Sequence, residues 1–102
     1  VIMNNGVLGM VRQWQTLFFD KHYSNTTLER KTDFVKLAEA FGAKGYLVDT
    51  LADFERVMTE AFADDSPVVI DCRIDKDEFV LPMLPPGGSI DDIIVSKEGG
   101  EK

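Results

Sequence analysis

Val1-Ile2-Met3-Asn4-Asn5-Gly6-Val7-Leu8-Gly9-Met10-Val11-Arg12-Gln13-Trp14 opens the chain and decides its fold. A short apolar run stops at two amides and a glycine, and an apolar-periodic segment begins almost at once. That order reads as a strand, a tight turn and a helix. Asn and Gly also punctuate ordinary turns, because both tolerate left-handed backbone angles. The same residues offer oxygen ligands to a hard cation such as Mg²⁺, and the helix behind them offers its N-terminal amides to a phosphate. A Mg²⁺ site on a diphosphate normally includes a carboxylate, and no acidic residue precedes Asn4. The strand is already under way at residue 1, so the chain is expected to be a piece of a longer protein.

Working outward, residues 1–4 read as a short buried strand and 8–18 as a helix. Leu8, Val11, Trp14 or Gln15, and Phe18 recur at three-to-four spacing and form its apolar side. Residues 20–27 are polar and aperiodic, a loop of the length that often carries function. A second helix is expected from Thr32 as N-cap, with Phe34, Leu37, Ala38 and Phe41 on its apolar face and Gly42 as its terminating glycine. Residues 43–48 read as a strand. Thr50 and Asp53 are spaced like a capping box for a third helix, whose apolar face is Leu51, Phe54, Met58, Ala61 and Phe62. Residues 64–67 form a turn and 68–74 a strand.

Strands alternating with amphipathic helices give an α/β fold with a partial parallel sheet and flanking helices. Ligands of such sheets sit at the carboxyl ends of strands, where Asn4-Asn5-Gly6 falls. Residues 1–75 are expected to form this α/β region. Residues 76–102 change character: three prolines and two glycines within 76–88 predict an extended segment with rigid turns. Ser89 caps a helical turn over 89–94, and 98–102 reads as a frayed tail.

The totals narrow the function. With 102 residues the chain holds one domain at most, and 44% hydrophobic content with seven Phe supports a modest core. The formal charge of −7, from 11 basic and 18 acidic residues, excludes the basic footprint of nucleic-acid or anionic-membrane binding. No run is long enough to span a membrane. The single cysteine, Cys72, cannot form an internal disulfide, which fits a reducing, cytoplasmic compartment. It lies in the strand-like run 68–74 and reads as a structural thiol. His22, the one histidine, lies in a polar loop, so no nucleophile–base set can be assembled. Asp64-Asp65 and Asp91-Asp92 read as turn and cap residues. Trp14 reads most simply as core, although Met10 and Trp14 share a face that would also line a pocket. Pro85-Pro86-Gly87-Gly88 reads as a rigid turn.

The stretch from Asn4 to Gln15 resembles the second half of the thiamine-diphosphate motif in the catalytic subunit of acetohydroxyacid (acetolactate) synthases. The far segment, Val80-Leu81-Pro82-Met83-Leu84-Pro85-Pro86-Gly87-Gly88, is similar to that family's C-terminal signature, and Asp71-Cys72-Arg73-Ile74-Asp75 fits as well. A paired-Asn turn alone implies only a thiamine-diphosphate enzyme. The added Gly-Met-Val-x-Gln-Trp and Leu-Pro-Met-x-Pro-x-Gly-Gly patterns narrow the resemblance to this family.

The resemblance implies the C-terminal part of a thiamine-diphosphate-binding domain, followed by an extended Pro/Gly-rich tail. It implies Asn5 (side chain) and Val7 (backbone carbonyl) as Mg²⁺ ligands. Gly6, Leu8, Gly9 and Met10 would lie against the cofactor, and Trp14 and Pro86 would line the substrate channel. Relatives often carry Gln and His at positions 6 and 7, and Ser or Ala at 86. The family's missing carboxylate lies in a Gly-Asp-Gly upstream of the paired Asn. Its activating Glu comes from a partner subunit, and its FAD is bound by another domain, so no catalytic acid or base is expected here. The implied activity of the whole enzyme is decarboxylation of pyruvate and condensation with a second 2-keto acid. The product is acetolactate or acetohydroxybutyrate, on the way to branched-chain amino acids. The implied partners are the rest of the catalytic subunit, a homodimer or higher oligomer, and a regulatory small subunit. Two alternatives stand beside this reading: another thiamine-diphosphate decarboxylase or carboligase, and a non-catalytic binding or assembly module.

Overall fold

Three short runs pair as parallel strands in the computed structural model, which describes residues 1–29 and 31–97. They are β1 (Ile2–Asn4), β2 (Lys44–Val48) and β3 (Val68–Arg73), in the order β1-β3-β2. Ile2 stands opposite Asp71 and Asn4 opposite Arg73, while Lys44 stands opposite Val68 and Val48 opposite Cys72. The helices are α1 (Gly9–Phe18), α2 (Phe34–Ala40) and α3 (Leu51–Phe62). The tail expected over 98–102 lies outside the described residues.

The described residues divide into two compact units, 1–6 with 29 and 31–75, and 7–28 with 76–97. The first unit holds the sheet, α2 and α3. Its core is Val48, Val57 and Ile70, against which Tyr46, Phe54, Met58, Val68 and Cys72 pack. Cys72 is thus a structural thiol at the edge of this core. Gly45 lets α2 approach β2: a Cβ there would lie 2.8 Å from both the Cα and the carbonyl oxygen of Val35. Asp64 accepts from the Ser66 amide at 2.8 Å and hydroxyl at 2.6 Å and pairs with Lys44. Its carboxyl is held well below the usual range, first by the Lys44 ammonium and then by Ser66. This is a turn residue, as its sequence context indicated.

Three expectations are corrected in this unit. β1 is not a buried strand: it is an edge of the sheet, and Met3 is 62% exposed. The cap of α2 is Asp33 and not Thr32, because the Asp33 carboxylate accepts the Lys36 amide at 3.0 Å. The apolar stripes of α2 and α3 are wider than the three-stranded sheet covers, so Phe41 and Phe62 are each 84% exposed. Val57, outside the expected stripe, is the fully buried residue of α3. Gly42 does terminate α2, at φ +77°. Thr50 caps α3, its hydroxyl oxygen accepting the Asp53 amide at 3.2 Å.

The second unit sets α1 against residues 76–97. Here the predicted face of α1 is reversed. Arg12 and Gln13 are buried, whereas Leu8, Val11, Trp14 and Phe18 are exposed. The physical reason is the neighbour: this side of α1 meets the Asp77 carboxylate and the Val80 main chain, and polar side chains satisfy both. Arg12 Nε donates to Asp77 at 2.7 Å, and Gln13 bonds to the backbone of Val80. Met83 and Ile94 form an antiparallel bridge, and Ser89 caps a 3-10 turn (Ile90–Asp92) in a capping box with Asp92. The rigid turn is present: the Gly88 amide donates to the Pro85 carbonyl at 2.9 Å and Gly87 has φ +75°. These are the features of a type II turn with Pro86 at its second position.

Candidate functional site

At the carboxyl end of β1 the two asparagines are not equivalent. Asn4 Nδ2 donates to Asp71 Oδ1 at 2.9 Å, and Asn4 Oδ1 accepts the Gly6 amide at 3.1 Å. Both ends of the Asn4 amide are therefore engaged within the protein, and the turn they fix carries Asn5. Gly6 adopts φ +70°, a conformation glycine reaches without the steric cost that a Cβ imposes. A Cβ at Gly6 would meet nothing within 4 Å, so the turn is open on that side. Asn4 is thus the residue that fixes the turn, and Asn5 is the residue that follows it at the strand's end.

In the second unit, Val7 is buried and bridges Thr27, and the Leu8 amide donates to the Thr26 carbonyl at 2.8 Å. Leu8 is the N-cap of α1, and no side chain caps the helix. The amides of a first turn lack intrahelical acceptors, and the helix dipole places partial positive charge there. The first turn of α1 has no acidic residue to neutralise it. Thr26 is buried, and its hydroxyl has no hydrogen-bond partner among the described residues. An uncapped helix start beside an orphaned buried hydroxyl is a donor set suited to an anionic group such as a phosphate. Gly9 is the first helical residue, and Met10 projects from the first turn as an exposed side chain.

Trp14 is not core: it is 42% exposed and lines a groove of about 470 Å³ with Val11, Gln15, Phe18, Phe19, Asp20 and His22. His22 is fixed there by a 2.8 Å contact between its Nδ1 and the Phe19 carbonyl. Pro86 sits in the type II turn and is not among the residues lining this groove. Among the described residues, no group of three or more His, Cys, Asp or Glu side chains gathers to hold a metal.

A family model for the thiamine pyrophosphate enzyme C-terminal TPP-binding domain matches residues 1–72. The chain belongs to the thiamine pyrophosphate enzyme family. Within it, this C-terminal TPP-binding domain is similar to the acetolactate synthase isozyme 2 large subunit of Escherichia coli K12. The two are 43% identical over 89 residues, 87% of this chain and 16% of the relative. It is 47% identical to an acetolactate synthase of Mycobacterium bovis over 97 residues, 90% of this chain and 16% of the relative. It is 41% identical to an acetolactate synthase large subunit of Porphyra purpurea over 90 residues, 87% of this chain and 15% of the relative. The chain thus spans about one sixth of the length of these relatives.

Each unit by itself offers groups of the kind that the cofactor's polar end takes. A side-chain amide and an open glycine stand at a strand terminus, and an uncapped helix follows in the sequence. Two residues that the geometry brings out, one in each unit, were not singled out from the sequence. Thr26 stood in a polar loop whose length was its only signal, and Asp71 looked like one more position in an apolar strand. Among the described residues no helix is long and apolar enough to cross a membrane.

Proposed function

We propose that this chain forms the cofactor-side C-terminal part of an acetolactate synthase catalytic subunit, which decarboxylates pyruvate and joins it to a second 2-keto acid. The observation that carries the reading is the 43–47% identity to acetolactate synthases over 87–90% of the chain. When bound, thiamine diphosphate supplies the electron sink that 2-keto-acid decarboxylation requires. The chain's own residues bind and orient it. The Asn5 side-chain oxygen and the Val7 carbonyl would serve as Mg²⁺ ligands, hard oxygen donors of the kind the ion takes together with phosphates. Gly6, Leu8, Gly9 and Met10 would hold the diphosphate end and the body of the cofactor, and the α1 amides would offset its negative charge. Trp14 and Pro86 border the path of the 2-keto acids.

The same reading includes Mg²⁺ in this site and an FAD held by a region outside these residues. It also includes a carboxylate ligand and an activating Glu from elsewhere in the enzyme. It further implies a cytoplasmic homodimer or higher oligomer with a regulatory small subunit, serving branched-chain amino-acid synthesis. The test is to incubate the complete subunit carrying this chain with pyruvate, Mg²⁺ and thiamine diphosphate. Acetolactate without acetaldehyde is expected. Acetaldehyde as the main product would move the assignment to a decarboxylase.

A further inference from the structure

Asp71 is a carboxylate in the middle strand of the sheet, and only 2% of it is exposed. A charge in such a place is costly unless it is paired and hydrogen-bonded. Its partners lead in one direction. Asp71 Oδ2 meets Arg73 Nη2 at 3.2 Å, and Oδ1 accepts Asn4 Nδ2 at 2.9 Å. The other end of that Asn4 amide accepts the Gly6 N–H at 3.1 Å. The chain of contacts runs from Arg73 through Asp71 and Asn4 to Gly6, where φ is +70°. Asn4 also remains in the ladder, its carbonyl accepting the Ile74 amide at 3.1 Å. Its backbone is thereby fixed while its side chain bridges the middle strand and the turn.

We infer that Asp71 is a positioning residue for the Asn5–Gly6 turn. By holding the Asn4 amide in one orientation, it aims the Asn4 oxygen at the Gly6 N–H and fixes the backbone that presents Asn5. An amide side chain free to rotate would point either its oxygen or its NH₂ at Gly6, and only the oxygen closes the turn. The buried carboxylate accepts hydrogen bonds and donates none, so it selects the NH₂ end of Asn4 and leaves the oxygen for Gly6. Arg73 offsets the buried charge. The inference rests on the proposed function in one respect: that the turn so fixed presents a metal ligand. Outer-shell partners that orient ligands typically alter metal affinity 10- to 100-fold.

The experiment uses the complete subunit, with Mn²⁺ as the probe ion at saturating thiamine diphosphate. A second readout is amide hydrogen exchange of the peptide spanning residues 3–8 in the cofactor-free protein. Asp71→Leu, which keeps a branched Cγ and removes both oxygen acceptors, and Asn4→Ala are each expected to weaken Mn²⁺ binding about 10- to 100-fold and to speed exchange in that peptide. The double variant is expected to be no worse than either single one, because both break the same contact. Asp71→Asn retains one oxygen acceptor and is expected to restore much of the protection. Additive losses, or wild-type exchange and Mn²⁺ affinity in Asp71→Leu, overturn the inference. Should Asp71→Leu fail to fold, Asn4→Ala removes the bond from the other side, and wild-type exchange in it overturns the inference equally. Asn5→Ala separates the two readings. If it binds Mn²⁺ as the wild type does, the metal assignment falls, while the metal-free exchange still decides whether Asp71 fixes the turn.

Discussion

Gln13 and the backbone of Val80 exchange two hydrogen bonds. The Val80 amide donates to Gln13 Oε1 at 2.8 Å, and Gln13 Nε2 donates to the Val80 carbonyl at 3.0 Å. A side-chain amide here does what a neighbouring strand residue would do, because it offers one donor and one acceptor at peptide-like spacing. Gln13 is 2% exposed, so the pair is shielded from water on the helix side. Two distant sequence patterns, the Gly-Met-Val-x-Gln-Trp run and the Leu-Pro-Met run, are joined by this one residue.

Replacing Gln13 by Leu keeps the volume and removes both bonds. At about 0.5–1.5 kcal/mol per net hydrogen bond, the docking of the segment at Val80 should weaken by roughly 1–3 kcal/mol. The Val80 amide is then expected to exchange faster, measured by hydrogen exchange on the complete subunit. Gln13→Glu should also loosen the segment at neutral pH, since its carboxylate has no donor for the Val80 carbonyl. It should recover at acid pH, where the carboxyl regains one. Unchanged exchange in Gln13→Leu would show that the apolar contacts alone hold the segment.

Arg12 adds a pH-sensitive contact beside it. Its Nε lies 2.7 Å from Asp77 Oδ1, and its guanidinium stacks 3.9 Å from the centre of the Tyr23 ring. The Arg12 hydrogen bond, first, and its charge hold the Asp77 carboxyl below its ordinary value. A carboxyl with a lowered folded-state pKa contributes stability above its unfolded pKa, near 4. That contribution is lost as pH falls through the lower folded value. The Arg12 Nε–H resonance should therefore be constant from neutral pH down to the ordinary carboxylate range and titrate below it. In Asp77→Asn the titration should vanish. A midpoint at or above the ordinary value would contradict the pairing.

Local chemistry is what the sequence made legible. The type II turn at Pro85–Gly88, the Thr50 cap, the Ser89 cap and the glycine ending α2 all depend on a few adjacent residues. The alternation of strands and helices, and the position of Asn5 at a strand's carboxyl end, follow from the same short-range patterns. The orientation of α1 did not, because periodicity identifies an apolar stripe without naming the surface it meets. The helix turns Arg12 toward the Asp77 carboxylate and Gln13 toward the Val80 backbone, and Trp14 is left lining a groove. Asp71 was hidden for a similar reason. Its role depends on the register that sets β1 beside β3, and 67 residues separate it from Asn4.

Gly45 gives a direct test of how α2 meets the sheet. A methyl at this position would sit 2.8 Å from the Val35 Cα and carbonyl oxygen, both backbone atoms. A flexible side chain could swing aside, but here a helix must move. Gly45→Ala should cost about 1–3 kcal/mol, the usual range for overpacking, read as a lower urea midpoint with an unchanged slope. Val35→Ala in the same background should recover little, because the clash is with the backbone and not chiefly with the Val35 side chain. Full recovery would mean that the side chain sets the spacing.

The last prediction concerns the surface that the sheet leaves uncovered. Among the described residues, β1 and β2 are both edge strands, and each edge strand presents unpaired backbone groups to another chain. The same unit carries Met3, Phe41, Leu47, Leu51 and Phe62, all largely exposed. Apolar surface of this kind favours association. The 102-residue chain by itself is therefore expected to sediment as dimers or larger species, or to precipitate. Replacing Phe41 and Phe62 by Glu should shift it toward monomer, because both side chains are largely exposed and their loss removes little core packing. A wild-type chain that sediments as a single monomeric species across concentrations would show that these faces do not drive association.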